Sequence, residues 1–472
     1  MLLLLEFLTV CWLGASALAA ARRLALGYRD TILFVFPLHF LLTGLPLVWD
    51  MIFGVPTYQR FPGFHLAATD PTARFAYCLT VSVPPLLWWA FRRPLRPASH
   101  RGAGSKRSEV MRWIANLSPA VRLTAILVLV LPVLLVLVSP DPSVYLRYTP
   151  WWRGWADVEA TRQFHFWIAR SVQFSFVAAA LLLLHAKRLG RALLVVVPFV
   201  AAAAWIPGKR NAVAFAAAFL LYALWERGVL RGRRLVIVTA VAAIVFGFFS
   251  VIYQTQLRFP EEYTRSRTVE DWIENARVDF GRDDVIRLVI HSELDPGQPQ
   301  ILDYPGESYL VVLGAILRGE RIEAPSYPNR LTSIAMRSPP GGSGGVTTSI
   351  LDESIANFGW IGLLVAPLVV LVVCRLGDSC HDSVISALTL FVVVCMFTTH
   401  PPPWAIMALV WTALVCHAKL FGPTHTPAMV PPPPLARRTI RQRVLIPRHA
   451  HGVQARHWHL RSTRAPRREL VR

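Results

Sequence analysis

The run PAVRLTAILVLVLPVLLVLV, residues 119–138, holds one charge, Arg122, in twenty positions. As a helix rising ~1.5 Å per residue it measures about 30 Å, the thickness of a bilayer's hydrocarbon core. Comparable apolar runs lie at 2–20, 31–53, 75–91, 163–186, 192–206, 212–225, 235–253, 355–374, 384–400 and 404–421. The sequence therefore predicts an all-α, polytopic membrane bundle of eleven spans. Composition agrees: of 472 residues 54% are hydrophobic and 16% charged, where soluble domains carry about 25% charged residues. That deficit excludes an ordinary soluble multidomain enzyme and excludes disorder over most of the chain.

Charge orients the bundle. The loops after spans one, three, five, seven and nine carry nineteen Lys and Arg, against seven in the short loops on the other side. The positive-inside rule places the first set in the cytoplasm, the N-terminus outside and the C-terminus inside. The first run ends Ala17-Leu18-Ala19 like a cleavable signal, but it starts with Glu6 and is followed by Arg22 and Arg23. A cleaved signal carries its positive charge before the apolar run, so an uncleaved span is expected. The chain then divides into residues 1–253 with spans one to eight, an external loop 254–349, spans nine to eleven in 350–421, and a tail 422–472.

The net charge of +21 follows from this layout. Much of it is topology signal, and the tail adds eleven Arg behind the Pro431–Pro434 spacer. The tail lacks apolar periodicity and reads as disordered, with anionic lipid headgroups as its partners; no nucleic acid is needed. The six Cys avoid the external loop, so no disulfide staples it. Cys374, Cys380 and His381 match no zinc spacing, and no metal or other cofactor is expected.

The loop concentrates the chemistry. Stretch 254–348 holds fourteen of the chain's 28 acidic residues and ten Arg without a Lys. Arg stays charged and grips phosphate bidentately, so Arg282, Arg330 and Arg337 among them are candidates for an anionic substrate, while ion pairing with the acids competes for the same groups. Residues 269–289 space their apolar side chains for one or two amphipathic helices, on the membrane surface or packed on the bundle, and 307–317 is a helix too short to span, buried or interfacial. Residues 318–348 read as irregular, with the Gly-rich run 341–345 as a flap. Within the bundle, Arg170 lies seven residues into its span, with His165 and Gln173 nearby. Intramembrane charge is functional by default, unless the side chain snorkels outward. Lys209 and Arg210 sit at the break between two short helices, a site for an anion or for interfacial anchoring.

Residues 347–362, Thr347-Thr348-Ser349-Ile350-Leu351-Asp352-Glu353-Ser354-Ile355-Ala356-Asn357-Phe358-Gly359-Trp360-Ile361-Gly362, open the ninth span. This segment resembles the T-S-x-x-x-E-x-x-x-N-F-G-x-x-G stretch of bacterial oligosaccharide repeat-unit polymerases, the Wzy-like O-antigen polymerases. Gly208-Lys209-Arg210-Asn211 resembles their G-[SK]-R turn. The resemblance extends over 160–420 as architecture and is sharp over about twenty residues. It implies a metal-independent glycosyltransferase of the bacterial inner membrane. A lipid-linked oligosaccharide on undecaprenyl pyrophosphate would move onto a new lipid-linked repeat unit, with a chain-length regulator and a flippase as partners. On that reading Glu353 is the leading general base, with Asn357 on its face, and His291 is the second candidate. Arg170, Lys209 and Arg210 would hold the pyrophosphate. As a helix-start carboxylate, Glu353 equally suits the helix dipole. Rival readings are an O-antigen ligase, a transporter or flippase, a metal-dependent glycosyltransferase and a non-enzymatic scaffold.

Reporter fusions near residues 100, 230 and 440 should report the cytoplasm, and one near 300 the outside. An external signal at 440 would reverse the orientation.

Overall fold

A computed structural model describes residues 1–59, 61–92, 119–146, 158–207, 210–252, 277–278, 281–294, 301–318, 327–338, 346–399 and 404–420. Among them every regular element is helical, with no strand. We number the helices α1 Leu2–Ala25, α2 Ile32–Phe53, α3 Pro62–Thr69, α4 Pro71–Phe91, α5 Pro119–Leu137, α6 Val158–His185, α7 Leu189–Trp205 and α8 Arg210–Glu226. They continue as α9 Arg233–Ile252, α10 Asp283–Leu294, α11 Glu307–Arg318, α12 Tyr327–Met336, α13 Ile350–Phe358, α14 Gly362–Ser379, α15 Ser383–Thr398 and α16 Ala405–Leu420.

Each of the eleven apolar segments falls on a helix. Among the described residues five stretches are long and apolar enough to cross a membrane: α1, α2, α5, Phe164–His185 within α6, and Ile350–Ser379, which joins α13 to α14. α7, α15 and α16 are shorter apolar helices, as is Ala212–Glu226 within α8. The first run extends past Arg22 and Arg23 to Ala25. Its Glu6 accepts a bidentate pair of hydrogen bonds from Arg74 on α4, both 2.8 Å, which builds α1 into the bundle.

Two segments read as loop are helical. The connection between the second and third segments contains α3, and the stretch read as irregular contains α12. Proline misleads in both. Pro62 and Pro328 stand in the first helical turn, where the missing N–H has no intrahelical partner to lose. Of the loop helices expected over 269–289, α10 starts only at Asp283, and residues 253–276 lie outside the described ones. So do the Gly-rich run 341–345 and the tail from 421 onward.

Two backbone irregularities set how the first helices meet. α2 contains a π turn, Phe40–Gly44, where the Leu45 N–H reaches back five residues to Phe40 O. Neighbouring carbonyls accept bonds from outside the helix: Thr43 O from the Tyr77 hydroxyl at 2.8 Å, and Leu42 O from the Arg282 N–H at 3.0 Å. In α4, Pro85 has no N–H for the carbonyl four residues back, Val81 O. The buried His39 of α2 supplies the donor, with Nε2 2.8 Å from Val81 O. Trp88, also buried, donates from Nε1 to Pro367 O at 3.0 Å and packs edge-on against Phe36 and Phe397. These bonds lock α2, α4 and α14 together around one core.

If His39 substitutes for the missing proline donor, the two sites are coupled. His39→Leu should cost about 1–3 kcal/mol by orphaning Val81 O. In a Pro85→Ala background, where the introduced alanine has an N–H to donate, that cost should fall to a fraction. Equal costs in the two backgrounds, read from thermal unfolding in detergent, would show the bond to be incidental.

Candidate functional site

The segment 347–362 folds as a self-capped helix start. Ser349 is the N-cap of α13, and Asp352 Oδ1 accepts from both its N–H, at 2.6 Å, and its hydroxyl, at 2.5 Å. The other Asp352 oxygen accepts from the Tyr327 hydroxyl at 3.0 Å, which ties α12 to this turn. Asp352 is thereby committed to structure. The next residue, Glu353, is 2% exposed and accepts from the Thr348 hydroxyl at 3.1 Å. Among the described residues no Lys, Arg or His is ion-paired to it. One turn on, Asn357 Nδ2 donates to Glu353 O at 2.6 Å and to Ser308 Oγ at 2.8 Å, while its Oδ1 accepts from the Ser308 N–H at 3.3 Å. Glu353 and Asn357 are thus joined to each other and, through Ser308, to α11.

The glycines close the motif for distinct reasons. Gly359 has φ of +55°, which ends α13 in a conformation that side chains disfavour. Gly362 starts α14 so close to α13 that a Cβ there would meet Ser354 O at 2.1 Å.

α10 packs between α3, α4 and α13 and brings the second base candidate. His291 Nδ1 lies 3.0 Å from Asp70 Oδ2, and the other Asp70 oxygen caps α4 through the Thr72 N–H at 3.0 Å. With Nδ1–H donating to that carboxylate, Nε2 is the basic nitrogen. In the sequence Asp70 is only a lone acid in the first external loop; its cap position before Pro71 is the signal that could have marked it.

The arginines separate into different duties. Arg330 is held by Glu307 at 2.8 Å and Asp303 at 3.1 Å, fastening α12 to the start of α11. Arg282 is buried and donates to Gly281 O at 2.8 Å and Thr398 O at 3.4 Å. Arg337 is exposed with φ of +51° and caps α12: its N–H bonds Ile334 O, and the Ser338 N–H bonds Ser333 O. That pair of bonds is a Schellman cap with Arg where Gly is usual. Arg170 places its guanidinium 5.0 Å from the Phe166 ring on its own helix α6. Lys209 and the Arg210 side chain lie outside the described residues; the Arg210 backbone begins α8.

The strongest electrostatic feature joins residues that sequence could not pair. Arg277 bonds Asp50 at the end of α2, Asp283 at 2.5 Å and Asp284 at 3.4 Å. Arg287 bonds Asp50 at 2.9 Å, reaches Asp283 at 3.7 Å, and lies 4.8 Å from the Tyr77 ring. The Tyr58 hydroxyl bonds Asp284, and its phenol is raised well above the ordinary value by burial and then by that carboxylate. Three carboxylates thus face two guanidinium groups, all buried except Asp50, which is partly buried. Burial pushes the Asp283 carboxyl up to about 7; Arg277 and Arg287 pull it down, while Asp284 and Asp50 push it up. Burial alone would lower both guanidinium groups, but the aspartates raise them.

Among the described residues no group of His, Cys, Asp and Glu is arranged to hold a metal ion. Comparison with protein-family models, with curated proteins and with solved structures finds no match to this chain.

The cluster has one carboxylate in excess, and burial raises the Asp283 carboxyl. A carboxyl raised in the folded state gives stability that is present below the ordinary range near pH 4 and lost as pH rises through about 7. Asp283→Asn, which mimics the protonated group, should therefore gain in Tm relative to the unsubstituted chain as pH goes from 5.5 to 8. Arg277→Met, which leaves aspartates unpaired, should cost about 3–5 kcal/mol. A Tm difference for Asp283→Asn that is flat with pH would remove the excess proton from this site.

Proposed function

We propose that the chain is a membrane glycan polymerase of eleven spans, with 254–349 outside, that joins lipid-pyrophosphate-linked oligosaccharides. The observation that supports this most is Glu353: a buried carboxylate that is neither a cap nor an ion-pair partner among the described residues, set in the resembling segment and bonded through Asn357 to the loop helix α11. The membrane character of the chain, with helices long and apolar enough to cross a bilayer, suits substrates that never leave it.

The chemistry divides between a base and an anion site. An acceptor sugar hydroxyl attacks the donor's anomeric carbon; its oxygen forms the new glycosidic bond while the bond to the pyrophosphate oxygen breaks. Glu353 takes the hydroxyl proton, and Arg170, Lys209 and Arg210 hold the pyrophosphate as its charge grows. The reaction needs neither a nucleotide sugar nor a metal. The Thr348 hydroxyl donates to the Glu353 carboxylate, which suits a positioned base.

A second assignment of the base rests on the His291–Asp70 contact. An imidazole oriented by a carboxylate is a built proton acceptor.

The glycan ladder on the surface of a deletion strain separates these. Glu353→Gln keeps size and one acceptor oxygen but cannot take a proton, and should lower polymerisation about 10²–10⁴-fold at normal protein level. Arg210→Ala should also fail, with partial activity in Arg210→Lys if charge suffices. A normal ladder from Glu353→Gln together with a lost ladder from His291→Gln moves the base to His291. No change in any surface glycan on full deletion would remove the polymerase reading.

A further inference from the structure

We propose that α11 is a monotopic membrane helix, lying in the headgroup–acyl boundary of the bilayer with its leucine stripe in the lipid. This stands whether or not the chain handles a glycan. Leu310, Leu313 and Leu317 recur at helical spacing and are 55%, 52% and 76% exposed. α11 has only twelve residues, too few to span, and it bounds the loop rather than the apolar runs. An uncovered apolar stripe on such a helix needs an occupant.

Three observations commit that occupant to lipid. First, the stripe adjoins an exposed apolar face of Ile350–Ser379, a stretch long and apolar enough to cross a membrane: the Tyr309 and Phe358 rings stack at 6.1 Å and 14°, and Trp360, Ile361 and Leu364 continue that face. Second, Trp360 stands at the end of that apolar face, where tryptophan marks a membrane–water boundary. Third, Arg318 folds back along α11, with its guanidinium 3.4 Å from where a Gly314 Cβ would be, so positive charge flanks the stripe at headgroup level. Amphipathic helices of this pattern sink their apolar face about 5–10 Å into the boundary.

The first turn of α11 holds polar contacts, with Ser308 on the face opposite the stripe. Ser308 bonds Asn357, and Glu307 bonds Arg330. The helix that touches lipid is therefore bonded directly to the turn that carries Glu353.

The test measures depth. In full-length protein with the accessible Cys11, Cys380 and Cys416 replaced by Ala, Leu313→Cys and Leu317→Cys are spin-labelled. The protein is placed in nanodiscs of phosphatidylethanolamine and phosphatidylglycerol. Collision with oxygen, which concentrates in lipid, is compared with collision with a water-soluble nickel chelate. Ser338→Cys, on an exposed cap, is the aqueous reference. The oxygen-to-nickel ratio at 313 and 317 should exceed that at 338 several-fold. A ratio equal to the reference would place the stripe in water and overturn the proposal. So would labels shielded from both reagents, which would mean a protein partner or a second copy covers it. If the three replacements impair folding, a genetically encoded nitroxide amino acid at 313 and at 338 in the otherwise native chain reads the same contrast without labelling Cys11, Cys380 or Cys416. A glycan ladder lost or kept in these variants bears on the polymerase reading alone.

Discussion

The ion cluster formed by Asp50, Arg277, Asp283, Asp284 and Arg287 is the constraint from which the loop layer is built. It fastens the end of α2 to a segment more than two hundred residues later. A buried ion pair stabilises little against a well-packed apolar replacement, because desolvation offsets the attraction. What it does enforce is place: a guanidinium with the wrong neighbours is left buried and unpaired. The Arg282 N–H on Leu42 O and the Tyr77 hydroxyl on Thr43 O continue the same seam. With α10 so located, His291 meets Asp70, and α13 packs on its far side.

From that layer the polar contacts run inward as a chain. Arg330 holds Glu307, the neighbouring Ser308 holds Asn357, and Asn357 holds the carbonyl of Glu353. Asp352 is consumed in capping and in holding Tyr327, which leaves the adjacent Glu353 with a hydroxyl donor and no cation among the described residues. Two neighbouring acids thus have different surroundings, because successive residues on a helix point about 100° apart.

Period and hydropathy made the bundle legible. All eleven apolar segments are helices, because long apolar runs admit few other conformations. Glu353 and Asn357 were also legible as a pair, since four-residue spacing on a helix is a local property. The partners of the arginines were not. Arg277 and Arg287 read as two of ten equivalent loop cations, and nothing in a one-dimensional pattern links them to Asp50. Arg330 read as a candidate for substrate or for ion pairing, and the pattern could not name its partners Glu307 and Asp303. α3 and α12 escaped notice because each has a proline in its first turn, which marks a helix start and a helix end alike.

The π turn at Phe40–Gly44 also bears on which lengths of chain this bundle can accept. Such a turn stores one surplus residue inside an otherwise α-helical path. A sequence one residue shorter within 40–44 would relax to an ordinary helix and still present Asp50 toward Arg277 and Arg287, losing only the carbonyls offered to Tyr77 and Arg282. The same deletion between 45 and 50 would rotate Asp50 by ~100° and retract it by ~1.5 Å. Length variation among descendants of this chain should therefore be tolerated at the turn and purged from the rest of the helix.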